Sequence, residues 1–301
     1  MSTKRWYLVT GGNAGLGFEC CQALVQTPDT RVIVAGRSAS RVDAAVQELN
    51  RVASSSSTAE RAIVDLSSLK SVRVLCDDLL QRGVSFHCVV CNAGVQMTKL
   101  QRTEDGFEMT VGTNHIGHFL LMKLLRTRTR RVLVLSSETH NPRETSLPKP
   151  NVSNLDDMAK GYAKFNALEA YTTSKLCNLL FAKELARRYR GEIEALAYTP
   201  GFTPDTSLFR HNNRFLWAIV KPILTMILRI RGARVSTPAY SGGFMACIAS
   251  AESWSDEGWS SGDYIRVDEV YAPSSQANDE TLAMTLWDKT EEWVKPFAAT
   301  D

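Results

Sequence analysis

The sequence has little net charge and no unbroken apolar run that could cross a bilayer. Its 35 Lys and Arg residues nearly balance its 32 Asp and Glu residues, and the resulting net charge of +3 is too small to argue for a nucleic-acid partner. The most apolar stretch, 215–228, is divided by Lys221 and Pro222, and each half is far shorter than the roughly 20 residues that span a membrane. With 44% apolar residues, the composition predicts a soluble single domain.

Cysteine is also poorly placed for disulfide or metal chemistry. The seven cysteines are odd in number and scattered. Cys88 and Cys91 lie inside an apolar strand, and no second Cys or His pair stands at ligand spacing, so we interpret them as core residues and predict no metal site. Free thiols without a signal peptide favour the cytoplasm, or an organelle stroma if a transit peptide has been removed.

What the sequence does contain is a regular alternation of strand-like and helix-like segments. The predicted strands are 6–10, 31–35, 62–66, 88–91, 131–135, 193–198 and 263–267. Such alternation predicts an α/β fold with a doubly wound parallel sheet, whose ligands gather at the carboxyl ends of the strands. Repeats and dividing linkers are absent, which predicts one domain over 1–301.

A glycine-rich turn follows the first strand. Gly11, Gly15 and Gly17 lie between an apolar strand and an apolar helical pattern. At such a junction the backbone N–H groups and the helix dipole face an anion, and glycine permits its close approach. The spacing Gly-x3-Gly-x-Gly differs from the usual dinucleotide fingerprint, but its place in the chain predicts a nucleotide phosphate site.

The ends of the next two strands indicate which nucleotide binds. The second strand ends in Gly36, Arg37 and Ser38 without an acidic residue, which favours the 2′-phosphate of NADP(H) over NAD, although Arg37 could also be a surface arginine. The third ends in Asp65, followed by Leu66. The Asp65 carboxylate could accept a hydrogen bond from the adenine amine, or Asp65 or Ser67 could be a helix N-cap.

Tyr171 and Lys175 are four residues apart, a spacing that places both on one face of a helix. A positive charge beside a phenol favours the phenolate, so Lys175 is expected to lower the pKa of Tyr171. A tyrosine tuned in this way can exchange a proton near neutral pH, as the interconversion of a carbonyl and an alcohol requires.

Together with Asn92-Ala93-Gly94, Asn114, Ser137 and Pro200-Gly201, these motifs resemble, in order and over roughly residues 5–205, the short-chain dehydrogenase/reductase family, which has a Rossmann-type fold. The resemblance implies that Tyr171 donates or accepts the proton, Ser137 polarises the substrate oxygen, Lys175 holds the nicotinamide ribose and Asn114 completes a water-linked proton relay. It implies an apolar substrate flap over 201–236 and a helix-strand-helix over 237–301 that closes the sheet. The expected cofactor-binding residues are Gly11, Asn13, Gly15, Leu16, Gly17, Arg37, Asp65, Leu66, Asn92, Ala93, Gly94, Tyr171, Lys175, Pro200, Gly201 and Thr203.

Longer phrases, such as Asp105–Leu121, resemble both the retinol-dehydrogenase group and the light-dependent protochlorophyllide oxidoreductases. Three departures oppose the photoenzyme activity. Phe202 stands where the photoenzymes carry a cysteine, the loop between Ser137 and Tyr171 is shorter than theirs, and Asn92-Ala-Gly94 replaces their Asn-Ala-Ala.

The apolar stretch 215–228 follows Pro200-Gly201, where the family places its substrate flap. We interpret it as the lining of a hydrophobic substrate pocket. The alternatives are a helix in a dimer interface or in the core, and peripheral membrane contact through 214–231. The expected pocket residues are Phe202, His140, Phe215 and Trp217. Members of the family are often dimers or tetramers, so the resemblance alone implies a homodimer or homotetramer, and the sequence does not fix the oligomeric state.

The sequence therefore predicts an NADP(H)-dependent oxidoreductase that acts on a small hydrophobic carbonyl or alcohol. The alternatives are light-driven reduction of protochlorophyllide, which Phe202 opposes, and a non-catalytic NADP(H)-binding sensor or scaffold. An intact set of Ser137, Tyr171 and Lys175 opposes the scaffold, because a binder needs no tuned phenol.

Overall fold

A computed structural model of the chain describes residues 4–203 and 234–298. Eight strands form one sheet in the order β3-β2-β1-β4-β5-β6-β7-β8. Strands β1 to β7 pair in parallel, and β8 pairs antiparallel with β7. The strands are β1 (Arg5–Thr10), β2 (Thr30–Gly36), β3 (Thr58–Ile63), β4 (Phe86–Cys91), β5 (Thr129–Leu135), β6 (Glu194–Thr199), β7 (Tyr264–Arg266) and β8 (Glu269–Val270).

Helices cover both faces of the sheet, as the predicted doubly wound fold requires. They are α1 (Gly15–Gln26), α2 (Ala39–Val52), α3 (Leu69–Gln81), α4 (Met109–Val111), α5 (Gly117–Leu125), α6 (Leu155–Lys160), α7 (Ala167–Arg188), α8 (Pro238–Ser250) and α9 (Glu280–Ala298). A π-helical turn, Gly112–Ile116, joins α4 to α5. The predicted parallel α/β fold is confirmed.

The two faces enclose separate apolar cores. On one face, α1, α2 and α8 pack against inward residues of the central strands, such as Val9 and Val34. On the other face lie α3, α5, α7 and α9, where Trp287 of α9 contacts Phe119 of α5 at 4.8 Å between ring centroids and stacks on Phe181 of α7 at 5.8 Å. The last helix therefore covers the outer side of the helix that carries Tyr171.

Two strand predictions differ from the structure. The third strand spans Thr58–Ile63, four residues earlier than predicted, because it is an edge strand whose outward side carries charged residues such as Arg61 and therefore lacks a continuous apolar run. The short antiparallel strand β8 was not predicted. Both differences lie at the edges of the sheet, away from the central strands that hold the site.

The described residues also bear on two expected absences. No helix among residues 4–203 and 234–298 is long and apolar enough to cross a membrane. The same residues contain no group of three or more His, Cys, Asp or Glu side chains that could hold a metal ion.

Candidate active site

The glycine turn between β1 and α1 forms an open anion cradle. Helix α1 begins after Ala14, and no side chain caps its N-terminus, so the first N–H groups of the helix remain available to an anion. Gly15 has a φ of +55° and no atom within 4 Å of the position that a Cβ would take. A Cβ on Gly17 would lie 2.5 Å from both Asn92 Nδ2 and the Gly11 carbonyl oxygen. The turn therefore has the shape and the dipole that a nucleotide diphosphate requires.

The end of β2 lies beside this turn. A Cβ on Gly36 would lie 2.6 Å from Asn13 Oδ1, so the missing side chain lets Asn13 pack directly on the strand end. Arg37 follows at once and is exposed. The structure thus brings Asn13 and Arg37 to the same corner of the carboxyl edge.

The segment after β3 contradicts the prediction that Asp65 or Ser67 is the N-cap of the following helix. One oxygen of Asp65 accepts hydrogen bonds from the amide and the hydroxyl of Ser67, at 2.9 and 2.7 Å. The N-cap of α3 is Ser68, whose hydroxyl accepts from the amide of Ser71. Neither Asp65 nor Ser67 is the cap, because the turn that Asp65 forms delays the helix by one residue. Leu66 is buried.

The Asn92-Ala93-Gly94 segment leaves β4 next to Thr10, the last residue of β1. The Thr10 hydroxyl accepts from the amides of Asn92 and Ala93, at 2.9 and 3.0 Å, and Asn92 Nδ2 donates to the Thr10 carbonyl at 2.7 Å. A Cβ on Gly94 would lie 3.7 Å from Lys175 Nζ. The segment therefore connects the glycine turn to Lys175.

The two serines after β5 have different surroundings. Ser136 is buried, and its hydroxyl donates to the Lys175 carbonyl at 2.8 Å, so it fastens α7 to the end of β5. Ser137 is half-buried and lies close enough to Tyr171 for its side chain to act on the pKa of that phenol. Of the two serines, Ser137 is therefore the one that lies close to Tyr171.

Tyr171 and Lys175 lie on one face of α7, whose N-cap Asn166 accepts from the amides of Leu168 and Glu169. Lys175 Nζ is 5.6 Å from the centroid of the Tyr171 ring and donates to the Leu135 carbonyl at 3.3 Å. Asn178 Nδ2, one turn further along α7, donates to the same carbonyl at 2.8 Å.

The electrostatics of this pair differ from the prediction. Burial raises the pKa of Tyr171 to about 12, although the neighbouring Ser137 side chain acts to lower it. Burial also lowers the pKa of Lys175 to about 8. The expected lowering of the Tyr171 pKa by Lys175 is therefore absent here, because the loss of hydration disfavours the charged form of each group.

Asn114 lies in the π-helical turn and is fully buried. Its Oδ1 accepts from the Val95 amide at 2.8 Å, and its Nδ2 donates to the Val95 carbonyl and to Ser174 Oγ, both at 3.0 Å. These three bonds occupy the side-chain amide. A water-linked relay would therefore have to use the main-chain carbonyl of Asn114.

The sequence-predicted pocket residues are only partly described. His140 is buried, with Nδ1 2.6 Å from the Ser137 carbonyl oxygen and Nε2 accepting from the Ser274 amide at 3.2 Å. Because both ring nitrogens bind the protein's own backbone, the prediction that His140 lines the substrate pocket is replaced by a role in supporting Ser137. Phe202 pairs through its backbone with residues 234–236. Phe215, Trp217 and the stretch 214–231 lie outside the described residues.

The segment after β6 turns sharply at Gly201, which has a φ of +68°. A Cβ there would lie 2.5 Å from the Arg234 carbonyl oxygen. The Pro200 carbonyl accepts from Ser241 Oγ of α8 at 3.1 Å, and Thr203 is buried. Helix α8 therefore anchors the predicted cofactor segment Pro200–Thr203 at the carboxyl edge.

Sequence reasoning assigned no roles to Ser136, Ser174, Asn178 and His118, all of which support the site. Ser174 and Asn178 flank Lys175 on α7, so their helical spacing from Lys175 was the available signal. His118 follows Asn114 by one turn. Its partner Thr10 is 108 residues away, so no local pattern could have revealed that contact.

The residues fit a nicotinamide dinucleotide: the open cradle suits its diphosphate, and Lys175 and the 92–94 segment border the position next to Tyr171. The group would be held by the α1 N-terminus, the end of β2 and Lys175. When bound, it supplies or accepts a hydride. The protein's own residues would then orient the substrate and exchange a proton with it.

Comparison with known proteins agrees with this geometry. The family model described as short chain dehydrogenase matches residues 5–137. Retinol dehydrogenase 11 of Mus musculus is 33% identical over 289 residues, covering 93% of this chain and 83% of the relative. The chloroplastic protochlorophyllide reductase A of Oryza sativa subsp. japonica is 28% identical over 318 residues, covering 95% of this chain and 80% of that protein.

Among solved structures, an uncharacterized protein from Mycobacterium paratuberculosis superposes with a TM-score of 0.73 at 26% identity, covering 97% of this chain and 94% of the other. The sequence relatives and this structural neighbour extend over nearly the whole chain, well beyond the stretch that the family model matches. The chain therefore belongs to the short-chain dehydrogenase/reductase family and is an oxidoreductase whose family uses a nicotinamide dinucleotide.

Proposed function

We propose that the protein is an NADP(H)-dependent oxidoreductase that interconverts a lipophilic carbonyl and its alcohol, with Tyr171 as the proton donor and acceptor. The observation that carries the proposal is the position of Tyr171, which lies close to Ser137 and has Lys175 on the same helix face. This cluster lies at the carboxyl edge of the sheet, beside the uncapped N-terminus of α1.

The choice of NADP(H) rests on the end of β2. The exposed Arg37 follows Gly36 directly, and no acidic residue stands at this strand end to hold ribose hydroxyls. A guanidinium matches a phosphate in charge and in its fork of donors, whereas a carboxylate would repel it.

Proton transfer depends on three side chains. In the direction of reduction, the Tyr171 hydroxyl protonates the carbonyl oxygen, while Ser137 donates a hydrogen bond to the same oxygen and fixes its position. Lys175, held by the Leu135 carbonyl, lies where its charge stabilises the phenolate that remains. Because burial raises the pKa of Tyr171 to about 12, the phenol is protonated at neutral pH and available as a donor.

The lipophilic substrate class rests on two observations. The apolar stretch 215–228 follows the end of β6 in sequence, and the mouse relative is named a retinol dehydrogenase. A long-chain or polyene aldehyde therefore fits the proposal better than a sugar does.

The test is to incubate the protein with all-trans-retinal and NADPH and to follow NADPH consumption together with retinol formation. Tyr171→Phe should lose at least about 100-fold in kcat, within the range expected for a lost general acid, and should bind NADPH as tightly as the wild type does. The matched control is Tyr189→Phe, at the end of α7 and remote from Ser137, which should keep full turnover. A Tyr171→Phe variant with most of the wild-type rate would refute the proton-donor role.

Light-driven reduction of protochlorophyllide is the second candidate, because one relative carries that name at 28% identity. Protein, NADPH and protochlorophyllide are mixed in darkness and then illuminated, and the absorption spectrum is followed. A red-shifted product that appears only in the light would establish this second activity. Saturable NADPH binding without turnover of either substrate or of a broad panel of aldehydes and ketones would instead support a binding protein.

A further inference from the structure

A buried histidine, His118, lies between the nucleotide turn and the catalytic residues, and the mechanism above gives it no role. We propose that His118 is a positioning residue: its imidazole joins the main-chain carbonyl of Asn114 to Thr10 and so fixes the 92–95 segment beside Lys175. The inference rests on the proposed function, since it concerns the same reaction, but its contacts can be tested separately.

His118 links the π-helical turn to the end of β1. The residue is fully buried at the start of α5, directly after the π-helical turn. Its Nδ1 lies 2.9 Å from the carbonyl oxygen of Asn114, and its Nε2 lies 2.8 Å from the hydroxyl of Thr10. One ring therefore contacts both the π-helical turn that carries Asn114 and the end of β1.

These partners determine the tautomer. A carbonyl oxygen only accepts, so Nδ1 of His118 must carry the hydrogen. Burial lowers the pKa of His118 to about 4, and the Lys175 charge acts in the same direction, so the ring is neutral and Nε2 is an acceptor. The Thr10 hydroxyl then donates to Nε2, its shorter contact, rather than to the Val90 carbonyl at 3.3 Å.

This direction leaves the lone pairs of the Thr10 oxygen for the amides of Asn92 and Ala93, which donate to it. The side chain of Asn114 holds the other end of the segment through Val95. Gly94, between these two anchors, is the residue next to Lys175 Nζ. The hydrogen-bond chain from His118 therefore fixes the backbone against which Lys175 lies.

A second buried histidine in the same turn provides a matched control. His115 Nε2 lies 3.1 Å from the hydroxyl of Thr290 in α9, and that hydroxyl donates to the Leu286 carbonyl. Thr290 must then accept from Nε2–H of His115, whose Nδ1 has no hydrogen-bond partner among residues 4–203 and 234–298. His115 faces the last helix rather than the nucleotide side, and its tautomer is the opposite of that of His118.

The kinetic test compares His118→Leu, Thr10→Val, the double variant and His115→Leu with all-trans-retinal and NADPH. His118→Leu should lower kcat roughly 10- to 100-fold, as misplacement of catalytic groups does. The Kd for NADPH should change less than about threefold, so the defect would lie in turnover and not in cofactor binding. The double variant should be no slower than the slower single variant, because each breaks the same chain. His115→Leu should lower the Tm and leave kcat within about twofold of the wild type. Unchanged kcat in His118→Leu, or an equal loss in His115→Leu, would overturn the proposal.

The second readout does not require turnover. Imidazole ¹⁵N spectra at pH 7, assigned with the single variants, should show His118 as the neutral Nδ1–H tautomer and His115 as the neutral Nε2–H tautomer. In His118→Leu, the amides of Asn92 and Ala93 should exchange hydrogen faster than in His115→Leu. If the wild type does not turn over retinal, the proposed function fails, and these spectra still decide the role of His118. An Nε2–H or charged His118, or unchanged amide exchange, would refute it.

Discussion

His140 donates a hydrogen bond from Nδ1 to the main-chain carbonyl of Ser137, 2.6 Å away. Since its Nε2 accepts from the amide of Ser274, the ring connects the segment after β5 to the segment after β8. Its ring also contacts Tyr264 edge-on at 5.3 Å. The main chain at Ser137 is thus supported, through His140, by a residue 134 positions further along the chain.

Replacing His140 should therefore disturb Ser137. His140→Phe keeps a ring against Tyr264 and leaves the Ser137 carbonyl with the main-chain amide of residue 140 as donor, but it takes the acceptor from the buried Ser274 amide. An unpaired buried amide costs about 1–3 kcal/mol of stability. We expect a lower Tm in calorimetry and a reduced kcat. Ser274→Ala is the control, because it keeps the main-chain amide that His140 accepts from, and it should match the wild type in both measurements. Equal effects in the two variants would contradict the assigned contact.

Arg37 should determine the choice between the two nicotinamide cofactors. Arg37→Glu places a carboxylate where we expect the 2′-phosphate, so the Kd for NADPH should rise at least about 100-fold, whereas the Kd for NADH should change little. Fluorescence titration with both cofactors measures the ratio. An equal weakening of the two would show that Arg37 does not contact the 2′-phosphate.

Neighbouring glycines in α8 should respond in opposite ways to alanine. A Cβ on Gly242 would lie 2.4 Å from Glu19 Cβ and 2.8 Å from the Leu16 carbonyl oxygen of α1, so Gly242→Ala should cost about 1–3 kcal/mol by overpacking. It should also weaken NADPH binding, because α1 carries the phosphate cradle. Gly243 has no atom within 4 Å of its Cβ position, so Gly243→Ala should gain about 0.5–1 kcal/mol through helix propensity. Denaturant unfolding and NADPH titration of both variants provide the comparison.

Glu138 should make the protein less stable as the pH rises. Burial raises the pKa of Glu138 to about 7 against the opposing charge of Arg266, whose Nε is 3.9 Å from the carboxylate. The folded state then binds more protons than the unfolded state between pH 4.5 and 7, so stability falls across this window. The free energy of unfolding of Glu138→Gln minus that of the wild type should be larger at pH 8.5 than at pH 4.5, by up to about 3 kcal/mol. Denaturant unfolding at both pH values measures this change, and an identical difference at the two would contradict it.

The sequence was sufficient where function depends on the order of motifs along the chain. Parallel strands bring their carboxyl ends to one edge, so knowing that Ser137 and Pro200 follow strands was enough to bring them together. The burial of individual side chains and the contacts between residues remote in sequence could not be predicted in this way. The pKa direction of Tyr171 was wrong because desolvation depends on the whole fold, and β3 was displaced because an edge strand has only one apolar face. The contact between His140 and Ser274 could not be predicted, because the two residues are remote in sequence, and the sequence therefore placed His140 in the pocket.

The cover that α9 forms over the catalytic helix also constrains how the protein is made. His115 contacts Thr290 across 175 residues, and the aromatic cluster of Phe119, Phe181 and Trp287 is complete only when α9 has docked. During synthesis on a ribosome, β1 to β5 and their helices emerge long before α9 does. The apolar face that α9 covers is therefore exposed to solvent until the last helix has been made. Binding by chaperones during synthesis, and aggregation of chains that stop before residue 280, are the expected consequences.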